Sequence, residues 1–106
     1  MVVKKHNKLV RDRIPEIIEN SGRKAVVEKM SKEASILLLR NKLEEECREY
    51  LEDRNIDELV DIVEVIYAIL EYSNVSITDF EEMRRQKAAK RGAYKERYLL
   101  KEVIEG

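Results

Sequence analysis

Residues Leu59 to Leu70 read LVDIVEVIYAIL, and Asp61 and Glu64 are the only charges among them. At about 100° per residue, the apolar side chains cover roughly 220° of a helix circumference. An ordinary surface helix carries a stripe of about 100°. Such a helix needs cover on most sides, from other helices of the chain or from a second subunit. The strip left over is narrow and mostly acidic: Asp57, Asp61, Glu64, Ala68 and Glu71, with Glu58 beside it and one turn from Asp61.

The flanking sequence extends the helical pattern. Ser31 fits an N-cap for a long helix reaching about Asp53. Within it Ile36, Leu39, Leu43, Cys47 and Tyr50 recur at spacings of three and four, which predicts one buried face. Asn55-Ile-Asp-Glu58 fits a capping box opening the next helix, to about Tyr72. Thr78-Asp-Phe-Glu81 fits another, opening a helix to Arg91 that Gly92 closes. A short helix from about Arg13 to Asn20 tolerates Pro15 in its first turn and ends at Gly22. The first dozen residues read as basic and irregular or extended. Residues 24–30 and 97–103 carry short apolar runs, read as a two-stranded β pair or, for the tail, as more helix. The expected fold is therefore a single, mainly all-α domain: an antiparallel helix bundle with that short β pair.

Composition closes other routes. One domain is the most that 106 residues make. A single Cys cannot form an internal disulfide, and with one His it excludes four-Cys zinc modules and His-rich metal sites. No apolar run reaches the roughly 18 residues of a membrane span. The start, MVVKKHNK, has no apolar signal-peptide core, so the expected location is the cytoplasm. Three Gly and one Pro argue against a sandwich or barrel.

The net charge of -1 hides a segregation. From Glu44 to Glu64 there are ten acidic residues against Arg48 and Arg54. From Arg84 to Lys101 there are eight basic residues against Glu96. Lys4, Lys5, Lys8 and Arg11 add to the basic ends. An acidic centre with basic flanks suits a metal–polyphosphate site, because carboxylates hold Mg²⁺ while Lys and Arg hold phosphates. Glu46 and Glu49 project from one face of their helix, and Glu58 and Asp61 repeat the spacing on the next. Brought together by a short turn, two such pairs surround one or two hard cations, which relieve the repulsion among them. Each residue also has a plainer role. Glu58 serves as a capping-box residue, Asp61 lies on a solvated strip, and Glu46 and Glu49 pair with Arg40, Lys42 or Arg48. Cys47 packs in the helix seam, Tyr50 and Tyr67 belong to the core, and His6 is exposed.

KLEEECREY followed by DELVDIVEVIYAIL resembles the E-x-x-E … E-x-x-D signature of the all-α nucleoside triphosphate pyrophosphohydrolases. That superfamily includes MazG, dimeric dUTPases and phosphoribosyl-ATP pyrophosphohydrolase. NKLVRDRIPEIIENSG and KAAKRGAY are similar to a small MazG-like branch. The resemblance implies that Glu46, Glu49, Glu58 and Asp61 bind Mg²⁺, with Mn²⁺ as a substitute. It implies that Glu45 assists the metal or activates water, Glu46 being the other carboxylate suited to accept that proton. It places Lys8, Arg11, Lys87, Lys90 and Arg91 toward phosphates. For Lys90 and Arg91, a position in the last helical turn is the plainer explanation. The implied reaction converts an NTP or dNTP to the monophosphate and pyrophosphate, in a homodimer or homotetramer. Two alternatives stand beside it: phosphoribosyl-ATP as substrate, and a non-catalytic helical module that dimerises through Leu59 to Leu70. The near-zero net charge and the acidic centre argue against a nucleic-acid binder.

Overall fold

Ser31, Asn55 and Ser76 each place a side-chain oxygen on a free backbone N–H and so start a helix. Ser31 Oγ accepts from Ala34 N at 3.2 Å, Asn55 Oδ1 from Asp57 N at 2.9 Å and Ser76 Oγ from Asp79 N at 3.0 Å. A computed structural model describes residues 1–106. It contains four helices and no strand: α1 Ile14–Asn20, α2 Lys32–Asp53, α3 Ile56–Tyr72 and α4 Ile77–Arg91. The chain divides into two units, Met1–Val75 and Ser76–Gly106.

In the first unit, α2 and α3 pack against each other. Arg54 and Asn55 alone separate them. Arg54 takes the left-handed conformation (φ 55°) and donates its N–H to Tyr50 O at 2.7 Å, which ends α2 abruptly. Glu58 lies near Glu49 and Asp53, while Asp61, one turn on, lies near Glu46. Sequence order thus runs in opposite directions along the two helices, as in an antiparallel helical hairpin. Leu39, Val65 and Leu70 are its buried apolar residues. α1 begins with Pro15 in its first turn and closes at Gly22, whose φ of 85° suits a residue without Cβ.

Of the apolar face predicted for α2, Ile36, Leu39, Leu43 and Tyr50 are buried or half-buried, and Cys47 alone is exposed; Ser35, Lys42, Glu46 and Glu49 are buried or half-buried beside them. Glu46 enters the seam and Cys47 is exposed, so the expected packing role of Cys47 is not met. The reason lies on α3, which turns Glu58, Asp61 and Val65 toward α2. Its outer face presents Ile56, Val60 and Val63 at 70%, 56% and 43% exposure, with Leu59 and Tyr67 at the same surface. Within this unit α3 is therefore covered on one side, where its composition predicts cover on most. Tyr50 is half-buried and Tyr67 lies outside the core.

In the second unit, the cap of α4 lies two residues before the expected Thr78. Ser76 takes the capping bond, and Thr78 becomes the second helical residue. Glu81 and Arg84 pair along its surface at 2.9 Å, and Gly92 (φ 86°) ends it.

The expected β pair is absent: residues 24–30 and 97–103 have no regular structure. The adjacent residues Val26 and Val27 are both exposed, as are Tyr98, Leu99 and Leu100. Neither segment has the buried alternate face a strand requires, and two strands without a third element or a covering helix are marginal. No helix is long and apolar enough to cross a membrane.

Candidate metal centre

Two local features bring the carboxylates together. The three-residue spacing sets Glu46 with Glu49 on α2 and Glu58 with Asp61 on α3, and the tight turn at Arg54 folds one pair onto the other. One oxygen from each of Glu46, Glu58 and Asp61 lies within 4.8 Å of the others. Oxygens around a six-coordinate Mg²⁺ sit about 3 to 4.2 Å apart, given Mg–O bonds near 2.1 Å.

The electrostatics of the cluster are unfavourable as they stand. Glu46 is nine-tenths buried at its side chain, and its Oε2 has no hydrogen-bond partner. Burial, then the neighbouring Glu49, push the Glu46 carboxyl above its ordinary range, against an opposing pull from Lys42; Asp61 adds the smallest push. Glu58 is pushed the same way, by partial burial first and then by Glu49, Asp53 and Asp61. Glu49 thus stands against both Glu46 and Glu58 while lying outside the closest group of three. A buried carboxylate with an unpartnered oxygen, grouped with further carboxylates, fits a hard divalent cation, which takes oxygen ligands and removes the repulsion.

Glu58 is not the reciprocal half of a capping box: Asn55 caps Asp57 N, and the Glu58 carboxylate joins the cluster. Glu45 points elsewhere. It accepts from Lys8 Nζ at 3.2 Å and lies 3.9 Å from Lys42 Nζ. The hydrogen bond from Lys8 is the main cause of its lowered pKa, so Glu45 is a weakened base in this arrangement. Arg11 donates to Asp61 Oδ1 at 2.6 Å and approaches Glu64 at 3.9 Å. Lys8 and Arg11, expected at phosphates, thus hold carboxylates at the edge of the cluster. Lys87, Lys90 and Arg91 lie exposed on the last turns of α4, in the second unit.

Lys42 carries more weight than its sequence context suggests. Its half-buried ammonium lies 3.7 Å from Glu46 Oε1, making it the cation nearest the buried carboxylate. Its place in a four-residue step before Glu46 was the available signal, since that spacing puts both on one face. Of the other two expected partners, Arg48 pairs instead with Glu44 at 2.8 Å, and Arg40 makes no ion pair. The chain matches no protein-family model, no curated protein and no solved structure.

Proposed function

We propose that the protein is a divalent-cation-dependent nucleoside triphosphate pyrophosphohydrolase, converting an NTP or dNTP to its monophosphate and pyrophosphate in the cytoplasm. The observation that carries this is the buried Glu46 carboxylate, whose Oε2 has no partner and one oxygen of which lies within 4.8 Å of oxygens of Glu58 and Asp61. The resemblance of KLEEECREY … DELVDIVEVIYAIL and NKLVRD to the all-α pyrophosphohydrolases supplies the reaction class.

Glu46, Glu58 and Asp61 would hold the cation, with Glu49 beside them. When bound, Mg²⁺ or Mn²⁺ neutralises phosphate oxygens and makes a bound water more acidic. Glu46, as a ligand, has its charge engaged. Glu45 is the adjacent carboxylate left to accept the proton of the attacking water, once Lys8 releases it. The water oxygen bonds to phosphorus as the bond to the departing pyrophosphate breaks. Lys8 and Arg11 are the nearby cations suited to phosphate oxygens. Lys87, Lys90 and Arg91 have a phosphate role from the resemblance, and substitution tests it.

The outer face of α3 supports association into a homodimer or homotetramer. A shallow groove of about 330 Å³, lined by Ile56, Leu59, Val60, Val63 and Glu64, leaves apolar surface in water that a second copy would cover.

The direct test is a panel of NTPs, dNTPs and phosphoribosyl-ATP, with and without Mg²⁺, scoring pyrophosphate separately from orthophosphate. Metal-dependent pyrophosphate release, lost in Glu46→Ala and Asp61→Ala with helicity kept, is the expected result. The substrate hydrolysed fastest separates a general nucleotide role from phosphoribosyl-ATP. Folded protein that releases no pyrophosphate from any substrate would favour the non-catalytic helical module.

A further inference from the structure

The Arg11 guanidinium stands where the carboxylate cluster meets solvent. It donates to Oδ1 of Asp61 at 2.6 Å and lies 3.9 Å from Glu64, while Lys8, one helical turn's length earlier in sequence, donates to Glu45 at 3.2 Å. Both cations come from a segment without regular structure, residues 1–11, and both reach helices far along the chain. Their side chains are 52% and 55% exposed, so water competes for each and neither contact is strongly anchored. Asn7, in the left-handed conformation (φ 49°), turns the backbone directly before Lys8. Against these cations and Lys42 stand Glu45, Glu46 and Glu49 of α2 and Glu58, Asp61 and Glu64 of α3, an excess of negative charge.

We propose that residues 8–11 form a removable cationic clasp, in which Arg11 competes with a divalent cation for Asp61 and is released when the cation binds. The proposal rests on the metal-site reading above and adds its regulation. Asp61 belongs both to the group of three and to the Arg11 pair. A guanidinium and a divalent cation on one carboxylate repel each other across a few ångströms, and that repulsion is not fully screened beside a buried carboxylate. Linkage makes the effect mutual: the clasp weakens cation binding by the factor by which the cation weakens the clasp. Released, Arg11 is free to meet an anion that arrives with the cation.

The test is calorimetric titration of Mn²⁺ into the full chain at low ionic strength, comparing wild type with Arg11→Gln and Arg13→Gln. Arg13 pairs locally with Glu16 at 3.3 Å and serves as the charge control. Circular dichroism checks that each variant keeps its helices. The clasp predicts Mn²⁺ binding about three- to fivefold tighter in Arg11→Gln, the scale of one exposed ion pair, and unchanged within twofold in Arg13→Gln. It also predicts that Mn²⁺ speeds tryptic cleavage after Lys8 and Arg11 in wild type. Equal or weaker Mn²⁺ binding by Arg11→Gln overturns the clasp and leaves the metal site standing. Equal tightening in both variants also overturns it, since the effect is then one of net charge. Absence of Mn²⁺ binding by folded wild type overturns the metal site itself, and the clasp with it.

Discussion

Arg11 and Asp61 lie fifty residues apart in sequence, yet the guanidinium of one donates to the carboxylate of the other at 2.6 Å. The pair joins an irregular N-terminal segment to the middle of α3, at one of three carboxylates grouped closely enough for a cation. Both side chains are substantially exposed, so the pair is a modest one. A double-mutant cycle with Arg11→Gln and Asp61→Asn, measured by urea unfolding with a chelator present, should give a coupling of about 0.2–1 kcal/mol. It should shrink in 1 M salt. Zero coupling at low salt would show that the contact does not persist in solution.

Glu46 presents the opposite case, a charge that its surroundings disfavour. Its folded-state pKa is raised, chiefly by burial, so the folded protein holds that proton to higher pH than the unfolded chain does. Stability therefore falls as pH rises through the ordinary carboxylate value of 4.5 and on through the raised folded value. Glu46→Gln removes the charge and supplies a donor for the neighbouring carboxylates. Without divalent cation it should be more stable than wild type at pH 7 by about 1 kcal/mol. The advantage should disappear near pH 4. A variant less stable than wild type at pH 7 would mark Glu46 as a structural residue instead.

The outer face of α3 gives a prediction about assembly. Val63 is 43% exposed in one copy, so in a monomer Val63→Lys should change stability by no more than about 0.5 kcal/mol. If a second copy covers that face, the same substitution should dissociate the assembly. Sedimentation should show wild type at a multiple of 12.5 kDa and the variant at that mass. Wild type at 12.5 kDa would remove the α3 face from any self-association.

The turn between α2 and α3 stores strain that can be relieved. Arg54 sits at φ 55° and makes no ion pair, so its side chain contributes little to offset the left-handed backbone. Arg54→Gly should raise stability by about 0.5–1 kcal/mol while preserving the relation between the carboxylate pairs. A loss measured by urea unfolding would show that the side chain has a role the backbone argument omits.

What could be read from the sequence is what local chemistry decides. Ser31 and Asn55 announce helix starts because their oxygens meet N–H groups two or three residues away. The clustering of Glu46, Glu58 and Asp61 follows from two spacings and a short turn. The misreadings share a different origin. Ser76 and Thr78 are both competent caps, and sequence does not rank them. The apolar line of α2 points to Cys47, but the seam is set by the partner helix, which brings carboxylates inward and draws Glu46 with them. The apolar runs near Val26 and Leu99 promise strands, yet neither has a buried face. Lys8–Glu45 and Arg11–Asp61 join positions far apart in sequence, and no local pattern encodes such contacts.

Thermal unfolding across a Mg²⁺ and Mn²⁺ series reads whether Glu46, Glu58 and Asp61 bind a divalent cation. A ligand at one hundred times its dissociation constant stabilises the folded state by about 2.7 kcal/mol. For a chain of this size that is a rise in Tm of roughly 10 °C or more. Wild type should show such a rise, saturating with cation, and Glu46→Gln and Asp61→Asn should show none. A wild-type Tm indifferent to both cations, or an equal rise in both variants, would contradict that binding.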